Sequence, residues 1–286
     1  ARVQFAKNDL VVIPQGVGVK TAGNILVNRK IVRSPALFTV AASILGGGEI
    51  QYGGYLFQEK ENLFVVAYRL GRGLHNLETI RLTFPEGTSV KEMAELCGKT
   101  MPLCRADEFT NLAGNSEGYL FPDTYFFLQS TDTAEVVQTM RETFTQKIAT
   151  LDKEARLFGK PLQSVITMAS ILEKEARYFE DRQMVASILW KRLELQMPLQ
   201  VDATLDYILN KNTYELTAAD LATTSPFNTY KYQGLPPTPI TNPGLESIKA
   251  ALSPKPTKYL YYLTDRAGRF YYAENYEKHL ANKGRT

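Results

Sequence analysis

The sequence predicts an α+β protein: strand-turn-helix modules at the N-terminal end, then a mixed α/β domain with a central helix pair and a C-terminal β-hairpin. Three observations carry this. A β-type run that meets Pro-x-Gly and then a helix-type run occurs twice, at residues 11–20 and 82–91. No Gly or Pro interrupts residues 163–197, a length suited to two helices rather than one. Aromatic and apolar residues on either side of Asp265 to Gly268 give the pattern of a hairpin.

In the two N-terminal copies, Val11-Val-Ile-Pro14-Gln-Gly16 matches Leu82-Thr-Phe-Pro85-Glu-Gly87. Pro and Gly punctuate each turn, and a Ser or Thr after the Gly can cap the helix that follows. Val90, Met93, Ala94 and Cys97 share one helical stripe of the second copy. Two copies are too few for a solenoid. Between them, residues 46–55 are glycine-rich but lack the Lys-Ser/Thr of a phosphate loop, so they predict turns around a strand near residues 55–57.

Residues 62–70 predict a helix. Pro122 splits residues 117–127 into two short extended pieces around a turn. Val136, Val137, Met140, Phe144 and Ile148 give residues 132–148 a helical face. Pro161 opens the first central helix. Asp181 is the expected cap of the second, whose apolar face is Val185, Ile188, Leu189 and Leu193. Residues 199–243 are rich in Pro, Thr, Asn and Gly and read as loops. The expected domains are 1–115, the N-terminal region, and 116–286.

Composition narrows function. Apolar residues at 44% and charged residues at 22% allow a sizeable core and exclude wholesale disorder. A net charge of +3 with no run of five or six like charges argues against a nucleic-acid partner. Cys97 and Cys104, with only His75 and His279 as histidines, make no zinc pattern; two ordinary helix or loop cysteines are the favoured reading, and pairing in an oxidising compartment stays open. No metal or cofactor is implied. No apolar run approaches the ~18 residues that span a bilayer. The chain starts at Ala1 without Met and shows no signal peptide, so it reads as a soluble body trimmed from something longer. Tyrosines crowd the last third, at Tyr259, Tyr261, Tyr262, Tyr271, Tyr272 and Tyr276. Each offers a flat apolar face with a hydroxyl, suited to a sugar or to a surface sheet.

There is no Gly-x-Ser-x-Gly elbow, and neither histidine has a triad motif around it. The acids of the first central helix are the better candidates. Helical neighbours lie three and four residues away. Glu173 then has Arg177 beside it, as in an exposed helix pair, whereas Glu175 has Ile171, Leu172, Tyr178 and Phe179. Desolvation raises a carboxyl pKa toward what a general acid needs near neutrality. Glu175 is therefore the expected catalytic acid and Glu173 a surface partner, with a possible secondary role.

These residues carry a resemblance over nearly the whole chain. Glu117-Gly-Tyr-Leu-Phe-Pro-Asp-Thr-Tyr125, Thr167-Met-Ala-Ser-Ile-Leu-Glu-Lys-Glu-Ala176 and Val185-Ala-Ser-Ile-Leu-Trp-Lys-Arg-Leu193 come first. Met197-Pro-Leu-Gln-Val-Asp-Ala-Thr204, Ser225-Pro-Phe-Asn-Thr-Tyr230, Gly234-Leu-Pro-Pro-Thr-Pro-Ile240 and Asn242-Pro-Gly244 follow in order. The set resembles the endolytic murein transglycosylases of the MltG (YceG-like) type. The resemblance implies that the paired N-terminal units are LysM-like and that the second Glu of Glu-Lys-Glu, Glu175, is catalytic. It implies that Gln200, Asp202, Thr204, Asn228 and Tyr230 line a sugar cleft. It implies non-hydrolytic cleavage of peptidoglycan glycan strands with 1,6-anhydro ends, without metal or cofactor.

It also implies a place on the outer, periplasmic side of the inner membrane. There the chain would be tethered by an N-terminal helix absent here and would sit near peptidoglycan synthases. Two departures stand out: Ala203 where the family often has Pro, and Phe270 where it usually has His. The competing expectations are a hydrolase in which Asp202 or Glu173 activates water, and a non-catalytic glycan-binding scaffold.

Overall fold

The computed structural model describes residues 9–45, 48–57, 59–76, 79–129, 131–209, 211, 215–265 and 267–284. Gly46 and Gly47 of the glycine-rich stretch and Arg266 of the hairpin turn lie outside the described residues. The chain divides into two compact units, residues 1–79 and 80–286.

The first unit holds β1 (Asp9–Ile13), α1 (Val19–Asn28), α2 (Pro35–Leu45), β2 (Gly53–Phe57) and α3 (Leu63–Arg72). β1 and β2 pair antiparallel with Val11 opposite Tyr55. Period-two alternation buries Val11, Ile13, Tyr55 and Phe57 against Leu26, Phe38 and Leu70. The strand expected near residues 55–57 and the helix expected over 62–70 are both present, and Asn62 caps α3 by accepting from the Val65 N–H.

β3 (Thr79–Thr83) starts at the division, and α4 (Val90–Thr100), α5 (Ala106–Ala113) and β4 (Thr124–Leu128) follow in the second unit. β3 pairs with β4. Each copy of the internal repeat thus expands to the same strand-helix-helix-strand order with its two strands joined. Ser89 and Glu92 form a capping box at α4. The core of this copy is shared with α6 (Thr133–Ala149): Met93, Cys97 and Phe109 pack with Val136, Val137 and Met140.

The expected domain boundary after residue 115 does not coincide with the observed division. The second copy is built into the larger unit because its turn is held there. Asn242 exchanges backbone hydrogen bonds with Gly87 and Thr88, and its side chain bonds Thr88 and the 117–120 segment. Of the two extended pieces expected around Pro122, only the later one is a strand.

The pairing that the sequence leaves open is made: Cys97 and Cys104 form a disulfide with Cα atoms 5.8 Å apart. α4 ends at Thr100 and the chain doubles back to start α5 at Ala106, which brings the two thiols within bonding reach.

After α6 come α7 (Asp152–Phe158), α8 (Leu162–Glu175) and α9 (Phe179–Glu194), the last two being the expected helix pair. Val165 to Leu172 are all buried, so α8 is a core helix enclosed on every side. Its hydroxyls are matched internally: Ser170 Oγ donates to Thr167 O and accepts from the Ile240 N–H. Asp181 is not the cap of α9; Tyr178 occupies that position without a side-chain bond, and Asp181 lies in the first turn. The stretch expected to be loops contains α10 (Asp202–Leu209) and α11 (Ala218–Leu221). α10 was hidden by its short length; tertiary burial of Ala203, Thr204 and Leu205 holds it.

α12 (Leu245–Leu252) completes the core with α8 and α9. β5 (Tyr261–Thr264) and β6 (Phe270–Ala273) form the expected antiparallel hairpin, followed by α13 (Tyr276–Lys283).

The disulfide closes a short loop, which constrains the unfolded chain by about 2.5 kcal/mol in the chain-entropy view. The Cys97→Ala/Cys104→Ala variant is expected to be less stable than the parent by about that free energy, as read from urea unfolding curves.

Candidate active site

Glu175 is the last residue of α8, and Ala176 caps the helix in an extended conformation. A carboxylate at a helix C-terminus faces the negative end of the macrodipole, which disfavours its charge. Tertiary structure then closes around it. Tyr262 of β5 donates its hydroxyl to Glu175 Oε2 at 2.8 Å. Asp202 and Asp206, one turn apart on α10, add negative charge nearby. Burial pushes the Glu175 carboxyl up to about 7; the Tyr262 hydrogen bond pulls it back and the two aspartates push it further up. Burial also holds the Tyr262 hydroxyl well above the usual phenol range. At neutral pH the site holds a carboxyl divided between acid and base, next to a phenol that keeps its proton.

The elements that fix this geometry can be traced. Tyr262 stands opposite Tyr272 across the hairpin. The Tyr272 hydroxyl donates to Asp181 on α9 at 3.0 Å. Arg192 of α9, buried beneath the Tyr261 ring, donates to Leu260 O at 2.7 Å and to Leu199 O at 2.8 Å. One guanidinium therefore ties the start of the hairpin to the segment that leads into α10. Phe270 stacks on Tyr272 with ring centroids 5.9 Å apart and lies 6.3 Å from the Tyr262 ring. Phe270 thus packs an apolar ring behind the phenol that bonds Glu175.

The expected site residues separate into two sets. Asp202 and Tyr230 gather at Glu175: the Tyr230 hydroxyl donates to Asp202 Oδ1. Thr204 and Asn228 are fully buried and serve the scaffold. Thr204 donates to Val201 O at 2.8 Å. The Asn228 amide donates to Leu221 O and Thr223 O and its oxygen accepts from the Tyr230 N–H, which fixes the loop that delivers Tyr230. Gln200 is exposed, at φ 53°, and its N–H donates to Thr229 O at 3.0 Å.

Two expectations about neighbours are corrected. Tyr178 is 61% exposed beneath Arg177 and does not enclose Glu175; the enclosure comes from the hairpin and α10. Glu173 is not a surface partner of Arg177 but is ion-paired with Arg182, its side chain only 5% exposed. Sequence reasoning missed Asp206, Arg182 and Arg192, and it named Tyr262 only as one of six tyrosines suited to a sugar or a surface sheet. Asp206 was the one with a signal, lying four residues after Asp202 and so on the same helical face.

Fold and site together define an α+β protein built around one desolvated carboxyl at a helix end, bonded by a phenol. A model of the YceG-like family matches residues 11–285, and the chain belongs to that family. It is 29% identical to the endolytic murein transglycosylase of Bacillus subtilis (strain 168) over 294 aligned positions, covering 93% of this chain and 81% of the relative. It is 26% identical to the endolytic murein transglycosylase of Streptococcus pneumoniae (strain ATCC BAA-255 / R6), covering 94% of this chain and 57% of the relative. The crystal structure of a YceG-like protein from Listeria monocytogenes superposes with a TM-score of 0.66 at 28% identity, covering 96% of this chain and 99% of that one. Among the described residues, no helix is long and apolar enough to cross a membrane.

The raised carboxyl has a consequence for stability. Between the ordinary value of 4.5 and about 7, folded Glu175 keeps a proton that the unfolded chain has released. Stability from this group is therefore full below pH 4.5 and declines as pH rises to 7, by roughly 3 kcal/mol in all. Glu175→Gln is expected to be more stable than the parent at pH 8, with the difference vanishing near pH 4, as read by urea unfolding at both pH values.

Proposed function

We propose that the chain is an endolytic peptidoglycan lytic transglycosylase in which Glu175 acts first as acid and then as base. The observation that carries this reading is the Glu175 carboxyl itself: desolvated at the end of α8, raised to about 7, and bonded by Tyr262. Such a group can give and take a proton near neutrality. The names and extent of the similar proteins support the substrate class.

In the proposed reaction, Glu175 protonates the oxygen joining N-acetylmuramic acid to N-acetylglucosamine, and the bond from that oxygen to the muramoyl C1 breaks. The resulting carboxylate takes the proton of the muramoyl C6 hydroxyl, whose oxygen closes on C1. A 1,6-anhydro end forms, no water is consumed, and Glu175 returns to its starting state. One carboxyl suffices, unlike the paired carboxylates of ordinary glycosidases. Holding the C6 hydroxyl against C1 ahead of water is a positioning task, for which Asp202, Tyr230 and exposed Gln200 are the proposed sugar partners.

The first unit is read as a LysM-like grip on glycan, supported by its strand-helix-helix-strand order with paired strands. We place the protein at the outer face of the cytoplasmic membrane, tethered there and acting on nascent strands beside the synthases that extend them. The disulfide supports an oxidising location.

The test is mass analysis of cleaved ends. With purified, uncrosslinked glycan strands, the parent is expected to yield internal cuts whose new ends are lighter than reducing ends by one water. Glu175→Gln is expected to yield none. Reducing ends from the parent would overturn the lyase reading in favour of a hydrolase. Parental cleavage by Glu175→Gln would overturn the assignment of the acid, and binding without cleavage by the parent would mark a scaffold.

A further inference from the structure

Glu173 lies two residues before Glu175, and its surroundings describe a clamp. Its Oε1 accepts from Arg182 Nη2 at 2.7 Å, and its Oε2 accepts from the Gly244 N–H at 2.9 Å. The same guanidinium donates through Nε to Ala176 O at 2.8 Å. Ala176 caps α8, Arg182 lies in the first turns of α9, and Gly244 caps α12. One ion pair therefore joins the end of one helix to the beginnings of two others. The charges suit their places, since a carboxylate is favoured at the N-terminus of α12 and a cation at the C-terminus of α8.

The pair is also boxed in. A Cβ at Gly87 would meet Glu173 Cγ at 3.2 Å, and Gly87 stands at φ +75. A Cβ on Gly244 would lie 1.8 Å from Glu86 Oε1. With both carboxylate oxygens bonded and the side chain 5% exposed, Glu173 has no open face toward a substrate or an attacking water.

We infer that Glu173 and Arg182 are a positioning pair, which fixes the last turn of α8 and thereby the direction in which Glu175 presents its carboxyl to the glycan. This rests on Glu175 being the acid proposed above. Apolar side chains would hold three helices together at lower desolvation cost than a buried ion pair. The ion pair adds direction: it bonds the main-chain atoms of Ala176 and Gly244 in fixed geometry, and Ala176 adjoins Glu175. A displacement of about 1 Å at a reacting group is enough to cost about 100-fold in rate.

The experiment compares Glu173→Gln, Arg182→Lys and Glu175→Gln with the parent. Glu194→Gln, which removes an exposed ion pair with Lys160, is the control. Fold is checked by circular dichroism, and kcat, KM and the pH profile are measured on glycan strands. Glu173→Gln and Arg182→Lys are expected to lose at least about tenfold in kcat. Their KM should stay near the parent's, and the basic limb of the pH profile should move to lower pH as water reaches a loosened Glu175. If Glu173→Gln does not fold, Arg182→Lys, which keeps the charge but not the fork, carries the same readouts.

A lower unfolding midpoint with kcat and the basic limb unchanged would overturn the positioning role and leave the functional reading intact. Parental cleavage by Glu175→Gln would overturn both.

Discussion

The carboxamide of Asn242 joins the parts of the larger unit on which the site rests. Its oxygen accepts from the Gly118 and Leu120 N–H groups at 2.9 and 3.0 Å, and its nitrogen donates to Thr88 O at 3.0 Å and Glu117 Oε1 at 2.9 Å. An amide has two donors and two acceptor sites, and here all four are used. Aspartate lacks the donors, and glutamine would carry the same group one carbon further. Being fully buried, Asn242 could not be lost without stranding several polar groups away from water. Glu117 shows the strength of that enclosure: despite hydrogen bonds from Val90, Tyr207 and Asn242, burial pushes its carboxyl up to about 8. The floor made by the 85–88 turn, the 117–120 segment and Asn242 supports Gly244, and through Gly244 the Glu173 carboxylate.

On this floor, Glu175 gains its character from three separate pieces of chain. The end of α8 supplies the carboxyl, α10 supplies Asp202 and Asp206, and the hairpin supplies Tyr262. Burial and the aspartates favour the protonated form, while the phenol favours the charged one. Their balance puts the group near neutrality, where neither form dominates. Phe270 fits this balance. An imidazole behind Tyr262 would bring a titrating group close to the acid, whereas a phenyl ring brings only apolar surface.

Much of this was legible in the sequence, and the exceptions share a cause. The repeat, the helix pair and the hairpin follow from local punctuation and periodicity, which involve neighbours in the chain. Glu175 was distinguished from Glu173, but by an argument that only half applies. Of the helical neighbours Tyr178 is exposed, and the groups that act on the Glu175 carboxyl lie 27 to 87 positions away. Glu173 looked like an exposed partner of Arg177 because helix spacing offers Arg177 first, while the three-dimensional packing brings Arg182 instead. Thr204 and Asn228 were expected at the cleft yet are fully buried, since spacing along the chain does not say whether a side chain meets substrate or holds a loop. The disulfide depended on a reversal between α4 and α5 that no periodicity encodes.

The hairpin has one more implication, which concerns time. Tyr262 follows Glu175 by 87 positions in the chain. Contacts of such sequence separation form late, after the loop entropy between them has been overcome. As the chain emerges from synthesis, α8 can be complete while its terminal glutamate is still bare to water, with an ordinary carboxyl's affinity for protons. Docking of the hairpin supplies the phenol that bonds it. Whatever chemistry Glu175 performs therefore waits on a contact made with a residue 87 positions later in the chain.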